Sequence, residues 1–436
     1  MKAAFRCMQE RSIFIGPVLG LGVQRCAEHS MLVSPFKRIP KVVRNRTTTL
    51  YLSRQSGHQS GCGFDPLEPV YLKEREMSEG PQCECINLRF KLVHLKAVSF
   101  LVLAVTLPLA CPPSADAAPA GGYQLQKKIA LGGEGGWDYF DVDPGSGHVF
   151  IPRGSHILVV DSEGNRVTDI PGVKGAHAIA FAPDLKKAFL STEGSISILD
   201  MGLMEITGEV SLSGKDPDAI LYDPLVKRVF TFNGGGTQDA TAVDALTGKV
   251  LGSIPLGGKP EFAQADGEGH IYVNIEDKSK IAAIDSKTLK VLDTWPIAPC
   301  QDPSGLAIDV AHGRLFAGCH NRLMAVVDYK SGKVLGTVPI GGGVDANRFD
   351  PQTGLAFASC GEGVIIAAHE ESPGKFAVAQ TIHTERGART MTLDLKNHIV
   401  YTVTAQFGPP PAATKEHPHP YPTIVSNTFT LLIYRQ

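Results

Sequence analysis

One aromatic position recurs seven times in this chain. Phe150, Phe189, Phe230, Tyr272, Phe316, Phe357 and Tyr401 follow one another at spacings of 39, 41, 42, 44, 41 and 44 residues. Each stands six or seven places after a turn position held by Asp143, Ala182, Asp223, Asp266, Asp309, Asp350 or Asp394. A period near 40 with frequent turn signals marks a four-stranded unit that buries its faces only against copies of itself. It predicts an all-β chain, a seven-bladed β-propeller of four-stranded antiparallel blades. Composition agrees, since 46 glycines and 30 prolines but only two tryptophans in 436 residues favour short strands and turns over long helices.

Ring closure is readable as well. Residues 123–133 (YQLQKKIALGG) align without gaps to residues 248–258 (GKVLGSIPLGG) and 332–342 (GKVLGTVPIGG), which are fourth strands of their repeats. The seventh repeat ends after its third strand, so residues 123–131 are expected to complete it and remove two open sheet edges. Third strands close on Asp161, Asp200, Asp244, Asp285 and Asp328, each followed by a tight turn. These aspartates are read as turn residues that accept backbone amides, not as a carboxylate array.

Ahead of the repeats lies a different kind of sequence. Residues 97–111 (AVSFLVLAVTLPLAC) are apolar, follow Arg89, Lys91 and Lys96, and precede a run of small residues that contains Ala115-Asp116-Ala117. Those are the three parts of a secretory signal, and 15 residues rise only about 22 Å as a helix, short of a bilayer core of roughly 30 Å. The expected layout is an unstructured extension or gene-calling artefact with the signal n-region over residues 1–96, a signal core and cleavage region over 97–120, and the propeller over 121–436. That implies a periplasmic or secreted protein without a transmembrane anchor. Cys111 sits in only a partial lipobox, so lipid anchoring is not expected. Residues 1–119 carry 15 basic and 9 acidic groups, leaving 27 and 35 for residues 120–436. The globular part is therefore at −8, a sign that argues against nucleic acid as its partner.

The repeats resemble a known family. An apolar-aromatic second strand, a Val-Val-Asp third strand and a Gly-Lys-Val…Pro-Ile-Gly-Gly fourth strand are similar to those of the YVTN β-propellers, the YncE-like bacterial proteins of the quinoprotein amine dehydrogenase heavy-chain-like superfamily. The resemblance spans residues 123–436 and implies the fold. On function it implies several roles, since relatives include a dehydrogenase heavy subunit, surface-layer proteins and a protein associated with DNA binding. It also keeps nucleic acid open as a third reading.

Sites are expected where inter-blade loops and second-to-third loops open on one face. The first set brings Trp137, Asp138, His177, Asp218, Glu261, Ser304, Asn347 and Arg389 to the channel mouth. The second brings His156, Asn233, Glu276, His320 and Glu362. An insert in blade 7, residues 406–423 (QFGPPPAATKEHPHPYPT), adds His417, His419 and Tyr421. No metal and no cofactor are expected, because metal-ligand spacing, c-type haem, dinucleotide and phosphate-loop motifs are all missing from the sequence. Cys300 and Cys319 bracket the start of blade 5 on one face and are expected to form a disulfide, with Cys360 one blade on as the competitor.

The function expected is a monomeric, non-catalytic binding or scaffold module for a protein or small-molecule ligand on the loop face. A hydrolase, a lyase or an oxidoreductase subunit is the alternative. For an enzyme, Glu261, His177 and His320 are the first candidates, and Ser304 with His320 is the nearest nucleophile-base pair within a blade, although Ser304 follows Asp302-Pro303 in a turn that favours serine anyway.

Overall fold

A computed structural model describes Thr49–Leu50, Val70–Tyr71 and residues 121–436 other than 413 and 415–421. The chain divides into two units, Met1–Pro108 and Leu109–Gln436. In the first, Thr49–Leu50 pairs antiparallel with Val70–Tyr71; the rest of the expected extension and the signal region lie outside the described residues, as do His417, His419 and Tyr421. Among the described residues no helix is long and apolar enough to cross a membrane.

The second unit is a seven-bladed β-propeller of four-stranded antiparallel sheets. Blade 1 runs through Asp141–Val142, Val149–Pro152, Gly154–Val160 and Arg166–Ala176, and blades 2 to 6 repeat the pattern in order. Blade 7 takes Met391–Asp394, Ile399–Thr404 and Thr430–Arg435 from the C-terminal end and Gln124–Ala130 from the start of the unit. The last strand pairs antiparallel with Thr430–Arg435, in the register Leu125 to Tyr434 and Ile129 to Leu431. The closure expected from the aligned fourth strands is therefore the closure observed.

The repeated aromatics explain why the blades stack. All seven are 0–5% exposed, each packed between its own blade and a neighbour. Burying one such side chain is worth roughly 1.5–3 kcal/mol. At the seam, Phe140, Ile151 and Leu158 of blade 1 join Tyr401, Phe429 and Leu431 of blade 7 in one core, so the ring is sealed by packing and by the shared sheet. Outer fourth strands are exposed or half-buried at most positions. The turn aspartates accept backbone amides as expected, for example Leu246 N and Thr247 N on Asp244 and Lys330 N and Ser331 N on Asp328.

Candidate functional site at the channel mouth

Each blade enters its innermost strand from an inter-blade loop, and the residue five places before the turn position stands at the same level in all seven. Reading back from the turns gives Asp138, His177, Asp218, Glu261, Ser304, Asp345 and Arg389. Four acids, one arginine, one histidine and one serine thus form the position, each from a different blade. Along this ring His177 Nδ1 lies 3.5 Å from Asp138 Oδ2 and 3.9 Å from Asp218 Oδ1. Arg389 spans the other side, 3.6 Å from Asp138 and 2.9 Å from Asp345. Glu261 pairs with Lys259 at 2.5 Å, and Lys259 also reaches Glu276 at 2.6 Å.

Burial, with other carboxyls close by, raises three of the four acids. Burial and the nearby Asp138 push Asp218 up to about 7. Burial pushes Asp345 up to about 6 against the pull of Arg389. Glu261 is driven upward by burial and by Asp218 while Lys259 pulls the other way. Hydrogen bonding to Asp138 raises His177 in spite of its burial. One Asp218 oxygen, Oδ1, is buried with no hydrogen-bond partner. The mouth holds more carboxyls than its own cations can pair, and it holds them in a low-dielectric setting that favours their protonated forms.

Beneath the ring stands Tyr139, 4% exposed, with its ring edge-on to Phe262 at 4.9 Å and its hydroxyl 3.5 Å from the Asp345 carbonyl. These two rings form the floor of the mouth.

The loop that carries Asp138 is fixed by a buried arginine. Arg153 is 1% exposed and donates to the carbonyls of Gly132, Glu134, Gly135 and Gly136 at 2.9–3.4 Å, with its guanidinium 3.6 Å over the Phe429 ring. Gly135 has a φ of +94°, and a Cβ there would strike the Arg153 carbonyl, so the loop curls around the guanidinium only because this residue is glycine. Burial lowers Arg153 to about 10.

The structure separates the expected residues. Asp138, His177, Asp218, Glu261, Ser304 and Arg389 meet at the mouth. Asn347 does not: it is fully buried, its amide 3.2 Å from Met324 Sδ and its backbone nitrogen so close to Gly305 that a Cβ there would lie 2.6 Å away. Asp345 takes its place. Trp137 packs on Phe429 at 5.1 Å and on Phe407 at 6.2 Å, at the base of the blade 7 insert. That base is described: Gly408 N donates to Thr423 O and Val425 N to Gln406 O, at 2.8 and 2.9 Å. His320 faces Glu276 at 3.8 Å and Ser304 Oγ faces the Asp345 carbonyl at 3.5 Å, so the suggested nucleophile and base engage different partners. His156 faces Asp169, and Glu362 pairs with Arg322 at 2.7 Å.

Sequence motifs predict no metal site. Yet the donor atoms of Asp138, His177 and Asp218 all lie within 4.8 Å of one another. Cation ligands at about 2.0–2.2 Å from their ion stand roughly 3–3.5 Å apart, so small side-chain adjustments would let the three share one. Loop spacing could not reveal them, because the three donors come one per blade, 39 and 41 residues apart.

Cys300 and Cys319 are bonded as expected, with Cα atoms 5.8 Å apart, and Cys360 is free and buried. Burial pushes the Cys360 thiol up to about 12, which leaves it inert.

No protein-family model matches the sequence, and no curated protein matches it. Among solved structures it is similar to the hydrazine synthase of Kuenenia stuttgartiensis, at 16% identity and a TM-score of 0.46, over 57% of this chain and 83% of that one. The class is defined by the blades themselves: a seven-bladed propeller with an acidic channel mouth.

Proposed function

We propose that the protein is an exported, non-catalytic binding propeller of the YVTN type whose channel mouth captures a divalent cation, alone or as the bridge to a polar ligand. One observation carries the reading: Asp138, His177 and Asp218 converge from three blades, and a buried Asp218 oxygen among them accepts no hydrogen bond. A cation there would displace the protons that crowding holds on the carboxyls, so repulsion in the empty mouth becomes binding energy. The cysteine pair supports export, since such bonds persist in oxidising compartments. The enzyme alternative is given no support by Ser304 and His320, whose polar atoms engage the Asp345 carbonyl and Glu276 and not each other. Nucleic acid remains disfavoured by an acidic mouth.

Calorimetric titration with Mn2+, Ca2+ and Zn2+ tests the reading. One-site binding to the wild type that weakens at least tenfold in Asp218→Asn and in His177→Ala is expected. Absence of saturable binding by all three ions, or binding unchanged by both substitutions, would remove the proposal.

A further inference from the structure

The channel has a second end, and it is chemically unlike the mouth. Below the floor formed by Tyr139 and Phe262 lies a cavity of about 720 Å³, walled chiefly by Phe181, Ile220, Leu221, Ile308, Phe349 and Leu393. It opens among the turns that follow the innermost strands, where Val310 and Leu395 are 47% and 45% exposed on its rim. The volume lies within the range of small-molecule pockets, and its walls are apolar as such pockets usually are.

One cation stands in this cavity. The Arg348 guanidinium lies 5.0 Å over the face of Phe262 and donates to the neighbouring Asn347 carbonyl at 3.0 Å, and among the described residues no carboxylate pairs with it. The two acids that line the cavity are engaged elsewhere: Asp141 accepts from Thr392 Oγ1 and Val142 N, and Asp309 accepts from His312 N and Nδ1. A guanidinium held on an aromatic face in apolar surroundings, with donors left over, forms strong charge-assisted hydrogen bonds to an incoming anion.

We propose that this end of the channel binds an amphipathic small-molecule anion, an apolar body with one carboxylate or sulfonate, whose head is taken by Arg348 and whose body fills the cavity toward Val310 and Leu395. The site is independent of the cation at the mouth, since Tyr139 and Phe262 stand between them. One arginine specifies one anionic group, and the apolar walls specify an unbranched or aromatic body without further polar groups.

The test uses 1-anilinonaphthalene-8-sulfonate as the anionic probe and N-phenyl-1-naphthylamine as its uncharged analogue, followed by fluorescence on the folded full chain. Saturable one-site binding of the sulfonate is expected, displaced by decanoate at concentrations at least tenfold lower than by decan-1-ol. Arg348→Met should weaken the sulfonate at least tenfold and leave the uncharged analogue unchanged, and Leu221→Trp should remove both by filling the cavity. If Arg348→Met fails to fold, the decanoate and decanol comparison on the wild type decides. Sulfonate binding equal in wild type and Arg348→Met, equal displacement by acid and alcohol, or no saturable binding would each overturn the proposal.

Discussion

The side-chain amide of Gln380 binds the backbone of Tyr123 as another strand would, accepting from Tyr123 N and donating to Tyr123 O, both at 2.8 Å. Gln380 belongs to the outer strand of blade 6, and Tyr123 directly precedes the strand that completes blade 7. Two hydrogen bonds therefore tie the start of the closing strand to the neighbouring blade, and the Lys127–Glu163 and Lys128–Glu385 ion pairs at 2.5 Å hold it further along. Gln380→Ala should lower stability by about 1–2 kcal/mol, the worth of two neutral hydrogen bonds. Deleting residues 123–131 should be far more severe, giving aggregated protein with an open sheet edge. Thermal melting of both variants checks this, and a deletion that melts like the intact protein would contradict closure by this strand.

Removal of Arg153 should be among the most damaging single changes. Arg153→Ala leaves four loop carbonyls without their donor and a void over Phe429, at a cost of about 3 kcal/mol or more. Arg153→Lys should recover part of the loss, because an ammonium can serve some of the carbonyls but lacks the planar fork. Denaturant unfolding of the three proteins measures the order.

The mouth gives the protein a pH dependence of definite sign. Asp218 and Asp345 ionise near 7 and 6 in the folded state and near 4 when unfolded. Between those values the folded form holds protons that the unfolded form has released, so stability falls as pH rises from about 4 to about 7. His177, also raised, acts in the same direction, since its contribution is complete below its unfolded value and lost as pH passes the folded one. Melting temperatures measured from pH 5 to pH 8 should decline, and Asp218→Asn should flatten the decline. A melting temperature that rises across this interval would show that the carboxyls are not crowded as described.

The Cys300–Cys319 bond closes a short loop, and its loss in Cys319→Ser should cost about 3 kcal/mol. Peptide mapping without reduction should return one crosslink joining these two residues, with Cys360 as a thiol. A Cys319–Cys360 crosslink would be inconsistent with the strand positions.

Much of this architecture was legible because it is periodic. The seven aromatics, the turn aspartates and the aligned fourth strands each repeat a local rule, and the cysteine pairing follows once strand positions are known. The mouth was only partly legible. Asp345 and Asn347, two places apart, would share a face in a regular strand, so spacing alone points to Asn347 as readily as to Asp345. The innermost strands of blades 3 to 6 are not regular, because each carries a register shift near its start, in blade 6 between Val344 and Ala346. Counting five back from each turn would have found Asp345 without knowledge of the bulge. Arg153 and Arg348 offered no sequence signal, since what makes each unusual is a set of neighbours drawn from distant parts of the chain.

The closing strand has a consequence for the order of events when the protein is made. Gln124–Ala130 is the first piece of the propeller to leave the ribosome, yet its partner Thr430–Arg435 is among the last. Until that partner is made, its backbone can bond only to water or to a wrong edge. Its sequence, QLQKKIA, suits the wait: lysines and glutamines predominate, and even in the finished ring most of its side chains face water. A strand of the Val-Ile type found at the heart of each blade would recruit any free edge during that interval. The protein thus leaves a largely water-facing strand the longest time alone, and the ring can stay open until the third strand of blade 7 is in place.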